Sequence, residues 1–138
     1  MRVMVIVKAS KESEAGQMPT EQEFAEMGKF NEELVNAGVM LAGEGLHPSS
    51  TGARIRYDGS KRTVIDGPFI ETKELLAGFW ILEVGSWEDA LDWAQRVPFR
   101  EGELEVRRVF AADDFGDALT PELREAEENL RARVEARQ

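Results

Sequence analysis

The sequence predicts an α+β fold built on a split βαβ antiparallel sheet, with an inserted β-hairpin and an extra C-terminal helix. Three observations predict it. Strand-like and helix-like apolar patterns follow one another in the order β-α-β, hairpin, β-α-β along the 138 residues. Alternating segments flank Asp58-Gly59, a dipeptide typical of hairpin turns. A further helix-forming segment begins at Thr120.

The chain begins with a predicted strand. Residues 3–7 are a continuous apolar run rich in β-branched side chains, which is typical of a strand covered on both faces. Small and polar residues at 10–19 predict a loop. This loop leads into a helix that starts at Thr20, where Thr20 and Glu23 have the spacing of a capping box. Gly38 supplies the stop signal at the other end of the helix.

The middle of the chain predicts four more strands. Residues 39–42 form a short strand that ends in a glycine-rich turn at 43–45. The hairpin follows at 54–65 and leaves through the turn Asp66-Gly67-Pro68-Phe69. The long apolar segment at 75–84 predicts a central strand.

Residues 86–110 are predicted to form a helix followed by a strand. Ser86 caps the helix, which stops near Pro98. The strand runs over 104–110, and the adjacent Arg107 and Arg108 break its alternation, which predicts a β-bulge.

The chain divides into two parts by composition. We expect residues 1–111 to form the main domain, and residues 112–138 to be an acidic linker and a helix appended to that domain. Pro121 lies at the favoured first position of this helix. A narrow apolar stripe of Leu123, Leu130 and Val134 predicts that the helix packs on a neighbour.

Charge and composition exclude several classes of protein. The net charge of −10 would repel a phosphate backbone, so we expect no nucleic-acid partner. The absence of cysteine excludes disulfides, thiolate nucleophiles and Cys-ligated metals. No apolar run is long enough to cross a membrane, and the N-terminus lacks the features of a signal peptide. We therefore expect a cytoplasmic protein with no membrane association.

The predicted sheet also implies a partner. Two main helices cover one face only, yet the strands at 3–7 and 75–82 are apolar on both sides. A second copy packed sheet to sheet would cover the other face. We therefore expect a homodimer through the sheet faces.

The candidate chemistry centres on His47, the only histidine. Its ring is the one side chain whose ordinary pKa lies near neutrality. The hairpin runs out and back between His47 and Asp66, so it could return this carboxylate to the ring. Asp66 would then fix the imidazole tautomer and leave the other nitrogen for proton transfer. The alternative is that His47 is a solvated loop residue and that Asp66 only forms its turn.

Other groups are weaker candidates for binding a substrate. Lys73 or Arg54 could hold an anionic group and Glu71 could tune the histidine, but a solvated charge run and surface salt bridges are the alternatives. The tryptophans are expected to pack, with Trp80 in the core or in a dimer interface. Ser49 and Ser50 adjoin His47 without the pattern of a nucleophile elbow. No phosphate-binding glycine loop is present.

Several motifs resemble the YCII-related family, and in particular its DGPF-domain branch, over about residues 1–111. The motifs are Gly45-Leu46-His47-Pro48-Ser49, Asp66-Gly67-Pro68-Phe69-Ile70-Glu71-Thr72-Lys73-Glu74, Ala77-Gly78-Phe79-Trp80 and Glu105-Val106-Arg107. The resemblance implies a ferredoxin-like fold of the dimeric α/β barrel type, and a cleft whose His–Asp pair would be His47 and Asp66. The C-terminal helix lies outside the family core.

The resemblance also suggests two functions. One member type is a dehydrochlorinase acting on a chlorinated aromatic ring, which implies a cofactor-independent acid–base enzyme acting on a small molecule. The alternative is a non-catalytic ligand-binding or regulatory protein, because genes of the DGPF branch often neighbour those of sigma factors. In that case the acidic surface and the C-terminal helix would contact a sigma factor.

Overall fold

Four antiparallel strands form the main sheet of the protein. A computed structural model describes residues 1–138. The chain has six strands in all: β1 (Arg2–Lys8), β2 (Met40–Gly45), β3 (Ala53–Asp58), β4 (Lys61–Asp66), β5 (Leu76–Glu83) and β6 (Leu104–Arg108). The helices are α1 (Lys11–Glu14), α2 (Glu21–Asn36), α3 (Trp87–Gln95) and α4 (Pro121–Glu135). The sheet order is β2-β5-β1-β6, and β3 and β4 pair in a separate two-stranded sheet. The predicted α+β class, central strand and inserted hairpin are confirmed.

The main core lies between one face of the sheet and helices α2 and α3. Alternate residues of the two central strands face the helices, including Val5 of β1 and Trp80 of β5. The rings of Trp80 and Phe30 meet edge to face, with centroids 5.8 Å apart. The indole N–H of Trp80 donates to Asn31 Oδ1 at 2.9 Å. Trp80 therefore belongs to the core, which was one of its two predicted places.

The helix α2 begins and ends where its sequence signals lie. The hydroxyl of Thr20 accepts from the Glu23 N–H at 3.1 Å, and the Glu23 carboxylate accepts from the Thr20 N–H at 3.1 Å. Such a cap is worth about 0.5–2 kcal/mol. Past the C-terminal end, Gly38 has a φ of +73°, a left-handed conformation that glycine adopts without strain.

Two predictions in the N-terminal half were wrong. The predicted loop at 10–19 contains the short helix α1, because the hydroxyls of Ser10 and Ser13 each accept from the other residue's backbone N–H. The predicted turn at 43–45 is the end of strand β2, which pairs with β5 as far as Gly45↔Gly78. A Cβ on Gly78 would lie 2.7 Å from the Glu44 carbonyl oxygen, so glycine permits this close approach.

The bulge predicted at Arg107 and Arg108 is absent. Both residues continue the regular ladder of β6 with β1, opposite Met4 and Val3. Arg108 lies on the helix side of the sheet, where its guanidinium stacks over the Trp87 ring at 5.2 Å. A long basic side chain that covers an aromatic ring can occupy an inward position, so the alternation is preserved.

The residues Val109–Gln138 form a separate compact unit. Its α4 is capped by the Thr120 hydroxyl, which accepts from the Leu123 N–H at 3.3 Å. The hydrogen bond from Arg124 to Asp113, the charge of Asp113 and, to a smaller extent, that of Glu128 raise the pKa of the Arg124 guanidinium. The structure contains no helix of the length and apolar character that a membrane span requires.

Candidate functional site

A cleft of about 690 Å³ opens at one end of the main sheet. It is bounded by the ends of β1, β2 and β5, by α1 and the segment after it, by α2 and by the loop at 99–103. Its volume lies within the range of about 300–1,000 Å³ that is typical of small-molecule sites.

Glycines in the strands make room for the cleft. Gly43, Gly45 and Gly78 all contribute to its lining, together with Trp80. A Cβ on Gly43 would lie 2.9 Å from the Trp80 ring, whereas a Cβ on Gly45 would meet no atom within 4 Å. Glycine within a strand commonly marks a place where another backbone or a ligand approaches closely. That signal was present in the sequence, but the segment was interpreted as a turn.

The walls are mainly apolar. They include several large apolar side chains: Met18, Phe24, Met27, Leu46 and Phe99. Phe24 and Met18 are 58% and 70% exposed, respectively. Apolar side chains grouped around a concave surface are a feature of ligand sites, so the cleft suits a small, largely apolar molecule.

The polar lining contains His47 and several charged residues. His47 is exposed and forms no side-chain hydrogen bond within the chain, so both ring nitrogens are open to a ligand. Lys8 is the one basic residue of the lining other than His47, and its Nζ lies 3.4 Å from Glu105. Glu44, Glu101 and Glu103 also contribute atoms to the lining, and the register of β2 turns the Glu44 side chain to the sheet face opposite to Trp80.

Ser49 anchors the segment that carries His47. Its hydroxyl donates to the Glu14 carboxylate, and its backbone N–H donates to the other Glu14 oxygen at 2.9 Å. The same hydroxyl accepts from the Phe69 N–H at 3.0 Å. Ser49 therefore joins α1, the loop of His47 and the turn 66–69 through one partly buried side chain.

Asp66 lies at the end of β4, paired with Ala53 in the hairpin, and it does not line the cleft. No hydrogen bond or salt bridge joins it to His47. The structure thus brings the turn of Asp66 to Ser49, two residues beyond the histidine, without bringing the two side chains into contact. Their action as a pair stays a prediction.

The predicted substrate-binding residues lie away from the cleft lining. The Arg54 guanidinium stacks over the Phe69 ring, 3.9 Å from its centroid. Glu71 precedes the 3-10 turn Thr72–Glu74, which contains Lys73. Their contact with a substrate stays a prediction.

Glu14, Phe24 and Phe99 were missed by sequence reasoning. Glu14 lies in the segment interpreted as a loop, Phe24 follows the capping box of α2, and Phe99 follows Pro98. No local signal singles out such residues, because the two phenylalanines reach the cleft, and Glu14 reaches Ser49, from separate elements. The structure contains no group of three or more His, Asp or Glu side chains placed to hold a metal ion.

Fold and cleft together define a small α+β domain with a cavity of ligand size. The chain belongs to the family of the YCII-related domain, whose family model matches residues 1–113. An uncharacterized protein of Rhizobium meliloti (strain 1021) is 33% identical over 75 residues, which cover 54% of this chain and 60% of that protein.

A solved structure is also similar: the 5-chloro-2-hydroxyhydroquinone dehydrochlorinase of Burkholderia phenoliruptrix AC1100 in complex with 2,5-dihydroxybenzoquinone. It has a TM-score of 0.43 and 14% identity, over 83% of this chain and 98% of that one. Membership in the DGPF branch stays a prediction.

Proposed function

We propose that the cleft binds a small, largely apolar molecule and that His47 transfers a proton to or from it, in a cofactor-independent reaction of the dehydrochlorinase type. The observation that carries the proposal is that the only histidine of the chain lines a cavity of ligand size with mainly apolar walls. An imidazole in such a place is suited to general acid–base work.

The reaction class is an elimination. His47 would take a proton from the bound molecule while chloride leaves with the electron pair of the carbon–chlorine bond. The imidazolium would then return its proton to solvent. The apolar walls would hold the ring of the substrate in place.

Asp66 would act by orienting the imidazole. Support for this role comes from the turn that it begins, which is tied through Phe69 to Ser49 and so to the loop of His47. A carboxylate that approaches the ring when a ligand binds would favour its protonated form and raise the pKa of His47.

A second candidate function is ligand binding without turnover. One observation favours it: neither His47 nor Asp66 has a side-chain hydrogen-bond partner, so the ligand-free protein lacks a preformed base–carboxylate pair. We also propose that the protein forms a homodimer through its sheet faces. Association with a sigma factor is part of the second candidate function.

Chloride release tests the enzymatic proposal. Chlorinated hydroquinones would be incubated with the wild-type chain and with His47→Gln, and free chloride would be measured with an electrode. We expect release by the wild type and a loss of at least about 100-fold in the variant, as for a general base. Binding of these compounds by both proteins without release would favour the second candidate.

An NMR titration tests the role of Asp66. The ring of His47 gives a single set of histidine signals, and its pKa would be compared between the wild type, Asp66→Asn and the control Asp58→Asn, which removes a carboxylate at the other end of the hairpin. If Asp66 acts on the ring, Asp66→Asn lowers the pKa of His47 and the control does not. Equal values in all three proteins would exclude Asp66 from the site.

A further inference from the structure

We infer that Asn31 is a ligand-binding residue of the cleft: its side-chain NH2 group donates a hydrogen bond to an oxygen atom of the bound molecule, and Trp80 orients it. The inference deepens the proposed function and rests on it in one respect, because it takes the cleft as the site of a small, largely apolar ligand. It names the polar group that this ligand carries, an acceptor oxygen such as that of a carbonyl attached to a ring. It is independent of whether His47 transfers a proton.

Asn31 reaches the cleft from α2. Phe24, Met27 and Asn31 follow one another at spacings of three and four residues, so they share one face of the helix. All three belong to the lining, and Asn31 is half-buried there. Asn31 is therefore the one polar residue that α2 contributes to a mainly apolar wall.

Trp80 fixes the orientation of the Asn31 carboxamide. The indole N–H is a donor only, so it can pair with Asn31 Oδ1 and not with Nδ2, and the two atoms lie 2.9 Å apart. The indole is itself held in place by the edge-to-face contact with Phe30 and by the backbone of β2, because a Cβ on Gly43 would lie 2.9 Å from the ring. A flipped carboxamide would set the NH2 group against the indole N–H and lose the hydrogen bond. Oδ1 is thus occupied, and the NH2 group is left as a donor.

The NH2 group of Asn31 is both unpaired and accessible. The bond with Trp80 is the only hydrogen bond that the Asn31 side chain forms within the chain. The structure contains no buried side-chain nitrogen or oxygen that lacks a partner, so the unpaired Nδ2 is open to solvent. A ligand that covers this group takes away its water, and the loss is costly unless the ligand supplies an acceptor.

The occupied Oδ1 decides which polar group the ligand carries. Because this oxygen already accepts from Trp80, Asn31 offers the cleft a donor and no free acceptor. A carbonyl oxygen, which only accepts, matches that offer. We therefore expect the cleft to favour an aromatic molecule with a carbonyl oxygen over a molecule of the same shape without one.

Two probes of the same shape test the inference. They are acetophenone and α-methylstyrene, in which a CH2 group replaces the carbonyl oxygen. Each is titrated at pH 7 into the full ¹⁵N-labelled chain, with binding followed at the indole N–H of Trp80 and at the side-chain NH2 signals of Asn31. We expect the Asn31 NH2 protons to shift downfield with acetophenone, because a hydrogen bond forms, and not with α-methylstyrene.

The variant Asn31→Asp removes the donor and keeps the rest of the arrangement. One carboxylate oxygen can still accept from Trp80, while the other replaces the NH2 group. The affinity for acetophenone relative to that for α-methylstyrene should fall about tenfold. The control Asn36→Asp makes the same chemical change at an exposed position at the end of the same helix, outside the cleft, and should leave this ratio close to that of the wild type. The shift of the Asn31 signals is measured in the wild type and so does not depend on how the variant folds.

The outcomes separate the two proposals. Binding of both probes without a selective shift of the Asn31 signals, or with the same affinity ratio in Asn31→Asp as in the wild type, would overturn the role of Asn31 and leave the cleft as a ligand site. No shift at Trp80 with either probe would overturn both this inference and the proposed function.

Discussion

The carbonyl oxygen of Ser49 occupies the space that a side chain on Gly67 would need. The backbones of the two segments meet here, and the Gly67 N–H donates to the Gly52 carbonyl at 3.0 Å. The turn 66–69 therefore packs directly against the segment that follows His47. In this arrangement the glycine and phenylalanine of the Asp66-Gly67-Pro68-Phe69 motif support the histidine loop, whatever the role of the aspartate.

Gly67→Ala should destabilise the protein by about 1–3 kcal/mol, as expected when a methyl group is forced into an occupied site. The measurement is the free energy of unfolding from urea denaturation. Gly52→Ala is the matched control, because its Cβ would lie 3.5 Å from the same Ser49 oxygen, an ordinary contact. Equal free energies of unfolding for the two variants would show that the backbone at Ser49 and Gly67 shifts to accommodate the methyl group.

Ser49 and Glu14 should be energetically coupled. Ser49→Ala removes a hydroxyl with two partners, one of them charged, and we expect a loss of about 1–3 kcal/mol. A double-mutant cycle with Glu14→Gln should give a coupling energy of about 1 kcal/mol. Ser50→Ala, at an exposed hydroxyl without a partner, should change stability by less than about 0.5 kcal/mol. A cycle that sums to zero would contradict the coupling.

Leu34→Ala should be among the most destabilising changes in α2. Leu34 is fully buried in the main core, and truncation of such a side chain costs about 2–5 kcal/mol. Its neighbour Val35 is 61% exposed, so Val35→Ala should cost less than about 1 kcal/mol. Thermal unfolding of the two variants measures these losses. A larger loss for Val35→Ala than for Leu34→Ala would show that the opposite face of α2 lies in the core.

Ile81→Glu tests the proposed homodimer. Ile81 lies between Trp80 and Leu82, which face the core, so it projects from the sheet face opposite to the helices. If that face joins two copies, a buried carboxylate should convert the dimer to a monomer in light scattering. Val35→Glu, on the exposed side of α2, should leave the wild-type mass unchanged. A wild-type chain that is already monomeric would end the proposal.

The elements that sequence reasoning predicted correctly are those with local signals. The capping box of Thr20 and Glu23 and the turn at Asp58-Gly59 each depend on residues a few positions apart. The same local contacts therefore form whatever the rest of the chain does. The strand at Gly43–Gly45 was missed because its pairing with β5 comes from distant residues. Two glycines in three positions also have the composition of a turn.

The candidate site was predictable in part for the same reason. His47 stood out because it is unique and because its ordinary pKa is close to neutrality. The acidic and aromatic lining could not be predicted, since it is assembled from separate segments that no spacing rule connects. Arg54 and Lys73 stood out by charge in the sequence, yet the one stacks on Phe69 and the other belongs to a 3-10 turn outside the lining.

Gly45 gives the cleft an adjustable size. Because a Cβ there would meet no other atom within 4 Å, the backbone at this position tolerates larger residues. Gly78, by contrast, is held by its approach to Glu44. Alanine, valine or leucine at position 45 would therefore fill the cavity in graded steps while the sheet stays intact. A substitution at this one position would thus change which ligands fit the cleft at little expense to the stability of the sheet.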